Sequence, residues 1–329
     1  MVVPVTDPTL PSDTPALANH DRPPVPDIVV PRGVQPFHLE DRPVRGRLVR
    51  LGALADALLG RHPQHPAVLR LMGEALALTA ALATALKYKG SFSLQAKGDG
   101  PVSMLLADCT DGGALRGTAK ADPERLEALL AEHPQPTAAQ LLGSGYLAFT
   151  CDQGPEMDRY QGIVAIEGES LAAMTGSYFR NSEQLQSQVW LACGRSLAGW
   201  RASALVVERV AADGGIGGDQ DTEEQDDSWV TALALAGTIT PAELLDDELG
   251  AERLLHRLFH AEGLAPGRPR ALSYGCRCSR ARLAEVLQSF GEDDLDHMAE
   301  AGTISMTCEF CVVDFRFDRE EVSGRAGRA

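Results

Sequence analysis

The chain lacks the short motifs that mark most nucleotide-binding and hydrolytic sites. It has no Walker loop, no G-x-G-x-x-G after a strand, no H-E-x-x-H and no G-x-S-x-G. No nucleophile–base constellation stands out, so neither a catalytic residue nor a nucleotide-cofactor residue is expected. Cationic charge is also scarce: 30 Lys+Arg against 46 Asp+Glu leave a net charge of −16 over 329 residues. The summed field repels phosphate, which argues against a nucleic-acid scaffold or a binder of anionic membranes. The N-terminus has no basic stretch ahead of an apolar run, so no secretory signal is expected. The longest apolar stretch, Ala67–Leu86, carries Arg70 and Glu74 and reads as a core helix rather than a membrane span. These absences lead to the expectation of a cytoplasmic protein.

Composition divides the chain. Residues 1–36 read as a disordered, Pro-rich extension, with eight of the 20 Pro between Pro4 and Pro31. Residues 37–210 read as an α+β core domain. Its helices are predicted at Val49–Leu59, Ala67–Leu86 and Ser170–Phe179, with another opened by Asp122-Pro123-Glu124. Its strands are predicted at Ser91–Lys97, Val102–Asp108, Ala114–Ala119, Tyr146–Cys151, Tyr160–Glu167, Leu185–Cys193 and Ala202–Val210. Residues 211–266 read as an acidic, partly helical linker: Ala211–Glu252 holds twelve Asp/Glu and no Lys, Arg or His. Within it Thr240-Pro241-Ala242-Glu243 is a strong helix start. Residues 267–323 form a small C-terminal unit, followed by a 324–329 tail.

Seven Cys is an odd number, and four crowd into the last fifth of the chain. In a reducing compartment that suggests metal or redox chemistry rather than a disulfide framework. Cys276-Arg277-Cys278 and Cys308-Glu309-Phe310-Cys311 are separated by 29 residues. Four thiolates in two close pairs suit tetrahedral Zn²⁺, one ion per chain. So small a unit would draw much of its folding free energy from the metal. Either pair can instead close a local disulfide, although a C-x-C ring is tight. Arg277, Arg280 and Arg282 favour thiolate at the first pair, while Glu309 and Asp314 oppose it at the second; these charges leave the order of oxidation open. Cys109, Cys151 and Cys193 stand alone in strands and read as small buried hydrophobes. His256, His260 and His297 are spare ligands beside a set that four sulfurs already close.

Read together, several strings resemble the heat-shock protein 33 family of redox-regulated bacterial chaperones. They are Val44-Arg45-Gly46, Leu86-Lys87-Tyr88, Leu94-Gln95, Gly98-Asp99-Gly100-Pro101, Arg116-Gly117, Tyr160–Val164 and Tyr178–Leu185. The C-terminal part adds Glu243-Leu244-Leu245, Arg257-Leu258-Phe259-His260 and the two cysteine pairs. Trp200, Gln186 and Val312 depart from the family's usual residues. The resemblance implies an ATP-independent holdase without catalytic turnover, in which Cys276, Cys278, Cys308 and Cys311 hold Zn²⁺ in the reduced, quiescent state. It further implies that oxidation forms the disulfides Cys276–Cys278 and Cys308–Cys311 and releases the metal. The zinc unit and linker then unfold, and the protein, typically as a homodimer, captures unfolding client proteins. Nucleic acid and membrane are not expected as partners. A thiol–disulfide oxidoreductase acting through Cys308 and Cys311 and a zinc-ribbon nucleic-acid binder are the alternatives. The first lacks a βαβ setting for its C-x-x-C, and net charge opposes the second.

Overall fold

The computed structural model describes residues 26–85, 88–154, 157, 159–183, 185–210 and 220–322. Residues 1–25 of the Pro-rich extension, the 211–219 part of the acidic segment, residue 323 and the 324–329 tail lie outside the described residues, as do Leu86, Lys87 and Gln184 of the family strings. The described chain forms two compact units that divide within the Cys276-Arg277-Cys278 loop.

In the larger unit the elements run β1 (Val29–Leu39), β2 (Val44–Arg50), α1 (Ala53–Leu59), α2 (Pro66–Ala83), β3 (Ser91–Gly98), β4 (Val102–Thr110) and β5 (Ala114–Ala121). They continue through α3 (Pro123–Glu132), α4 (Ala138–Leu142), β6 (Gly145–Asp152), β7 (Tyr160–Ala165), α5 (Leu171–Tyr178), β8 (Ser187–Ser196) and β9 (Gly199–Arg209). The acidic segment then supplies α6 (Gln220–Ala236), α7 (Pro241–Leu245) and α8 (Ala251–Phe259), before β10 (Leu264–Pro266) and β11 (Arg270–Tyr274). This is the α+β class expected from the sequence.

One sheet runs through the unit in the order β7-β6-β3-β4-β5-β11-β1-β2-β9-β8, with β10 paired to β1. Its pairings are antiparallel except for the short parallel contact of β11 with β5, where Ser273 meets Ala114 and Tyr274 meets Leu115. Helix α2 packs against β2, β3, β4, β5, β8 and β9. Pro66 opens it and the His65 side chain accepts from Ala67 N–H at 3.2 Å, a cap that fixes its start. It is long and apolar enough to cross a bilayer, but 83% of its most apolar window is buried by the surrounding protein. The reading of this stretch as a core helix is correct.

The opposite face of β1-β2-β9-β8 carries a second core. Phe37, Leu39, Val44, Leu48, Leu205 and Val207 pack there against Trp229, Ala232, Ala236, Ile239, Leu244 and Phe259 from α6–α8 and the turn between α6 and α7. The helix start at Thr240 is a full capping box: Thr240 Oγ1 accepts from Glu243 N–H at 3.2 Å, and Glu243 Oε2 accepts from Thr240 N–H at 2.9 Å.

Three local expectations need correction. Residues 29–36, read as part of a disordered extension, belong to β1. The pairing register of β1 with β11 shifts between Val30 and Val34, around Pro31, where a missing N–H is tolerated. Val49 and Arg50, read as the start of a helix, close β2, and Gly52 with φ +52° turns the chain into α1. β11 (Arg270–Tyr274), read as part of the small unit, pairs into the large sheet, and β10 (Leu264–Pro266), read as the end of the linker, pairs with β1.

The smaller unit contains α9 (Arg280–Leu287), α10 (Glu292–Met298), β12 (Thr303–Thr307) and β13 (Asp314–Asp318). Leu287, Leu295, Ile304, Phe315, Phe317 and Val322 are buried in it. Arg319 ties α10 to the end of the hairpin through Glu292 at 2.6 Å and Asp296 at 2.7 Å.

Candidate metal centre

The first cysteine pair sits in the loop from β11 into α9. Ser279 ends that loop as a helix cap, accepting from Arg282 N–H at 3.2 Å. The second pair occupies the turn of the β12–β13 hairpin. Cys308 N–H donates to the Val313 carbonyl at 2.9 Å and Val312 N–H to the Cys308 carbonyl at 2.8 Å, which folds Cys308–Val313 into a closed knuckle. Val312 completes it at φ +53°, an unusual conformation for a β-branched residue.

The four cysteine Sγ atoms lie within 4.8 Å of one another. Cys276, Cys308 and Cys311 are buried and Cys278 half-buried. None of these four is joined in a disulfide. A tetrahedral centre with metal–sulfur bonds of about 2.3 Å needs sulfurs spaced about 3.8 Å apart, so the donor set fits one ion with soft ligands. Among the described residues this is the one convergence of three or more His, Cys, Asp or Glu ligand atoms. Sequence spacing paired the cysteines, and the fold brings the two pairs together.

A family model described as Hsp33 protein matches residues 33–318. The chain belongs to the Hsp33 family. The 33 kDa chaperonin of Caulobacter vibrioides (strain NA1000 / CB15N) is 40% identical over 290 residues, covering 87% of this chain and 94% of its own length. That of Pseudomonas fluorescens (strain SBW25) is 35% identical over 291 residues, covering 88% and 91%. The crystal structure of the Thermotoga maritima 33 kDa chaperonin shares the fold, with a TM-score of 0.73 at 21% identity over 88% of this chain and 96% of that one.

The other candidate residues of this Hsp33 chain lie elsewhere. His260 Nδ1 bonds the His256 carbonyl and His297 Nδ1 the Asp293 carbonyl, each within its own helix or at its end. Arg280 lies over the Phe317 ring at 4.5 Å and bonds Glu321 at 2.6 Å, so it braces the hairpin. Cys109, Cys151 and Cys193 are buried, as expected for small hydrophobes. Burial pushes the Cys193 thiol up to about 12, with Glu74 adding to the shift and Arg70 opposing it. Such a thiol is inert at neutral pH.

Sequence reasoning missed the arginines that hold the acidic segment. Arg50 donates to the Glu243 carbonyl at 2.6 Å and to the Asp246 carbonyl at 2.7 Å, and Arg201 Nε meets Asp247 Oδ2 at 2.6 Å. These partners stand more than forty residues apart in sequence, and no local pattern connects them.

Proposed function

We propose that this chain is a redox-regulated, ATP-independent chaperone that holds unfolding proteins and prevents their aggregation under oxidative stress. The observation that carries the reading is the convergence of two local thiol pairs on one four-sulfur cluster. The naming of its relatives as 33 kDa chaperonins supports the chaperone assignment.

In the reduced state Cys276, Cys278, Cys308 and Cys311 serve as thiolate ligands for one Zn²⁺. Held by these four sulfurs, the metal would tie the two loops together and add folding free energy to the short α9, α10 and hairpin core. A peroxide-class oxidant takes two electrons from each pair. One pair closes as Cys276–Cys278 and the other as Cys308–Cys311, in either order, while each peroxide takes up two protons from solvent and leaves as two waters, or as water and an alcohol from an organic peroxide. Disulfide sulfurs are poor ligands, so the cluster no longer holds metal. The small unit, residues 277–322, then loses order, and α6–α8 leave the β1-β2-β9-β8 face, while β10 and β11 stay paired in the large sheet. The 37–210 core stays folded and offers that apolar face to clients, as a homodimer in the cytoplasm. No turnover is involved, and neither nucleic acid nor membrane is a partner.

Hydrogen exchange tests this directly. Ser228–Leu249 should be protected in the reduced zinc form and open after peroxide treatment. Equal protection in both forms would remove the segment from the mechanism. Catalytic reduction of insulin by the protein would favour the oxidoreductase alternative.

A further inference from the structure

The sheet face under α6–α8 has two chemical parts. On β2, Val44, Gly46, Leu48 and Arg50 alternate onto it; on β9, Arg201, Leu205, Val207 and Arg209 do the same. The register sets Leu48 opposite Leu205 and Gly46 opposite Val207, with Val44 opposite Arg209 at one end and Arg50 opposite Ser203 at the other. The face is therefore an apolar strip with arginine at both ends.

Its cover is the complement. Asp226 and Asp227 precede the apolar residues Trp229, Ile239 and Leu244, and Asp246, Asp247 and Glu248 follow them. Arg209 meets Asp226 at 2.5 Å at the first end, and Arg201 meets Asp247 at 2.6 Å at the second. Arg50 bonds three backbone carbonyls there, of Glu243, Asp246 and Leu249. Its Nε is buried with no acceptor among the described residues, a donor that backbone carbonyls leave unused.

We propose that this face, once uncovered, selects unfolded segments built like its own cover: an apolar run flanked by Asp or Glu, with Arg50, Arg201 and Arg209 as the specificity-determining residues. The inference rests on the proposed function, because the face opens only when residues 228–249 leave it. Apolar burial is indifferent to flanking charge. The guanidinium is not: it takes a carboxylate through two parallel bonds, and a lysine-flanked segment would meet like charge instead.

The test uses full-length oxidised protein and two fluorescent peptides with the same apolar run, one flanked by Asp and one by Lys. The Asp peptide should bind about tenfold tighter, roughly 1.4 kcal/mol. Raised salt should shrink that preference. The double variant R201Q/R209Q should bind the Asp peptide more weakly and the Lys peptide more tightly than the wild type does, so that most of the preference is lost. Equal binding by the wild type overturns the inference, as does a preference that survives both the double variant and high salt. If the variant does not fold, the salt series on the wild type decides. A single-stranded oligonucleotide that outcompetes the Asp peptide would assign the face to a polyanion and also overturn it. Aggregation suppression by the same oxidised sample separates the two levels. Suppression without peptide preference sinks this inference alone, whereas absence of suppression and of peptide binding sinks the proposed function with it.

Discussion

Cys278 Sγ lies 3.4 Å from Cys311 Sγ, a contact between the two cysteine pairs rather than within one. A disulfide would hold two sulfurs near 2.05 Å, and ligands sharing one tetrahedral ion sit about 3.8 Å apart. The two pairs thus meet in one cluster, and closing either local bridge would draw its two sulfurs to about 2.05 Å, well inside tetrahedral ligand spacing. Each of the four thiols should matter for metal binding. Dividing about 10–16 kcal/mol of zinc-site free energy over four ligands gives roughly 3 kcal/mol each, a loss of more than about hundredfold in affinity. Competition with a chromogenic chelator should show that loss for Cys→Ser at 276, 278, 308 or 311, and no loss for Cys109→Ser, Cys151→Ser or Cys193→Ser.

Val312 closes the knuckle at φ +53°, where a β-branched side chain crowds the backbone. Val312→Gly should relieve that strain and stabilise the metal-bound small unit by about 1 kcal/mol, after the entropic cost of glycine. Thermal melts followed by a probe in the 280–322 region would register the gain. A lower melting temperature would mean that Val312 contributes packing that outweighs the strain.

Glu74 on α2 borders a cavity of about 240 Å³ lined also by Ser170, Val189, Trp190, Ile239 and Leu244. Burial pushes its carboxyl up from 4.5 to about 7, with Arg70 pulling the other way. The folded protein therefore keeps this proton to higher pH than the unfolded chain does. Stability should fall as pH rises from about 4.5 to about 7 and remain lowered above that. Glu74→Gln should be more stable than the parent at pH 8, by up to about 3 kcal/mol, and the gap should close below pH 5. Urea melts at the two pH values measure it, and a gap independent of pH would contradict the assignment.

The first residues of β1 carry pairing that composition hides. Val29 and Val30 face Ser273 and Leu272, and Tyr274 N–H donates to the Ile28 carbonyl at 3.1 Å. A chain starting at Gly33 should be about 2 kcal/mol less stable than one starting at Pro26, from the few ladder bonds removed. Identical melting curves would show that β11 holds its place through β5 alone.

Local signals carried well where a residue acts on its immediate neighbours. The long apolar run Ala67–Leu86 gave α2, Asp122-Pro123 gave α3, and the Thr240 capping box gave α7, each at or within a few residues of its observed bounds. Strands β3 to β6 follow the same logic, because Gly- and Asp-rich turns bracket them. What failed was non-local. Pro31 and Pro36 mimic the composition of disorder, yet β1 is held by partners more than 200 residues later. The apolar residues on either side of Gly52 fit helical spacing as one run, so β2 was merged with α1. The cysteine pairs were legible because metal chemistry constrains them at short range. The arginines of the second core were not, since Arg50 and Asp246 share only a place in the fold.

The central claim is that thiol state, metal occupancy and chaperone activity change together. Zinc content, free-thiol count and suppression of a thermally aggregating client should be measured on one sample, before and after peroxide. The account predicts one zinc and no suppression in the reduced protein. After oxidation it predicts no zinc, four fewer thiols and strong suppression, all reversed by a thiol reductant plus zinc. Oxidised protein that keeps its zinc, or loses it without gaining suppression, would contradict the account and leave a static metal module in its place.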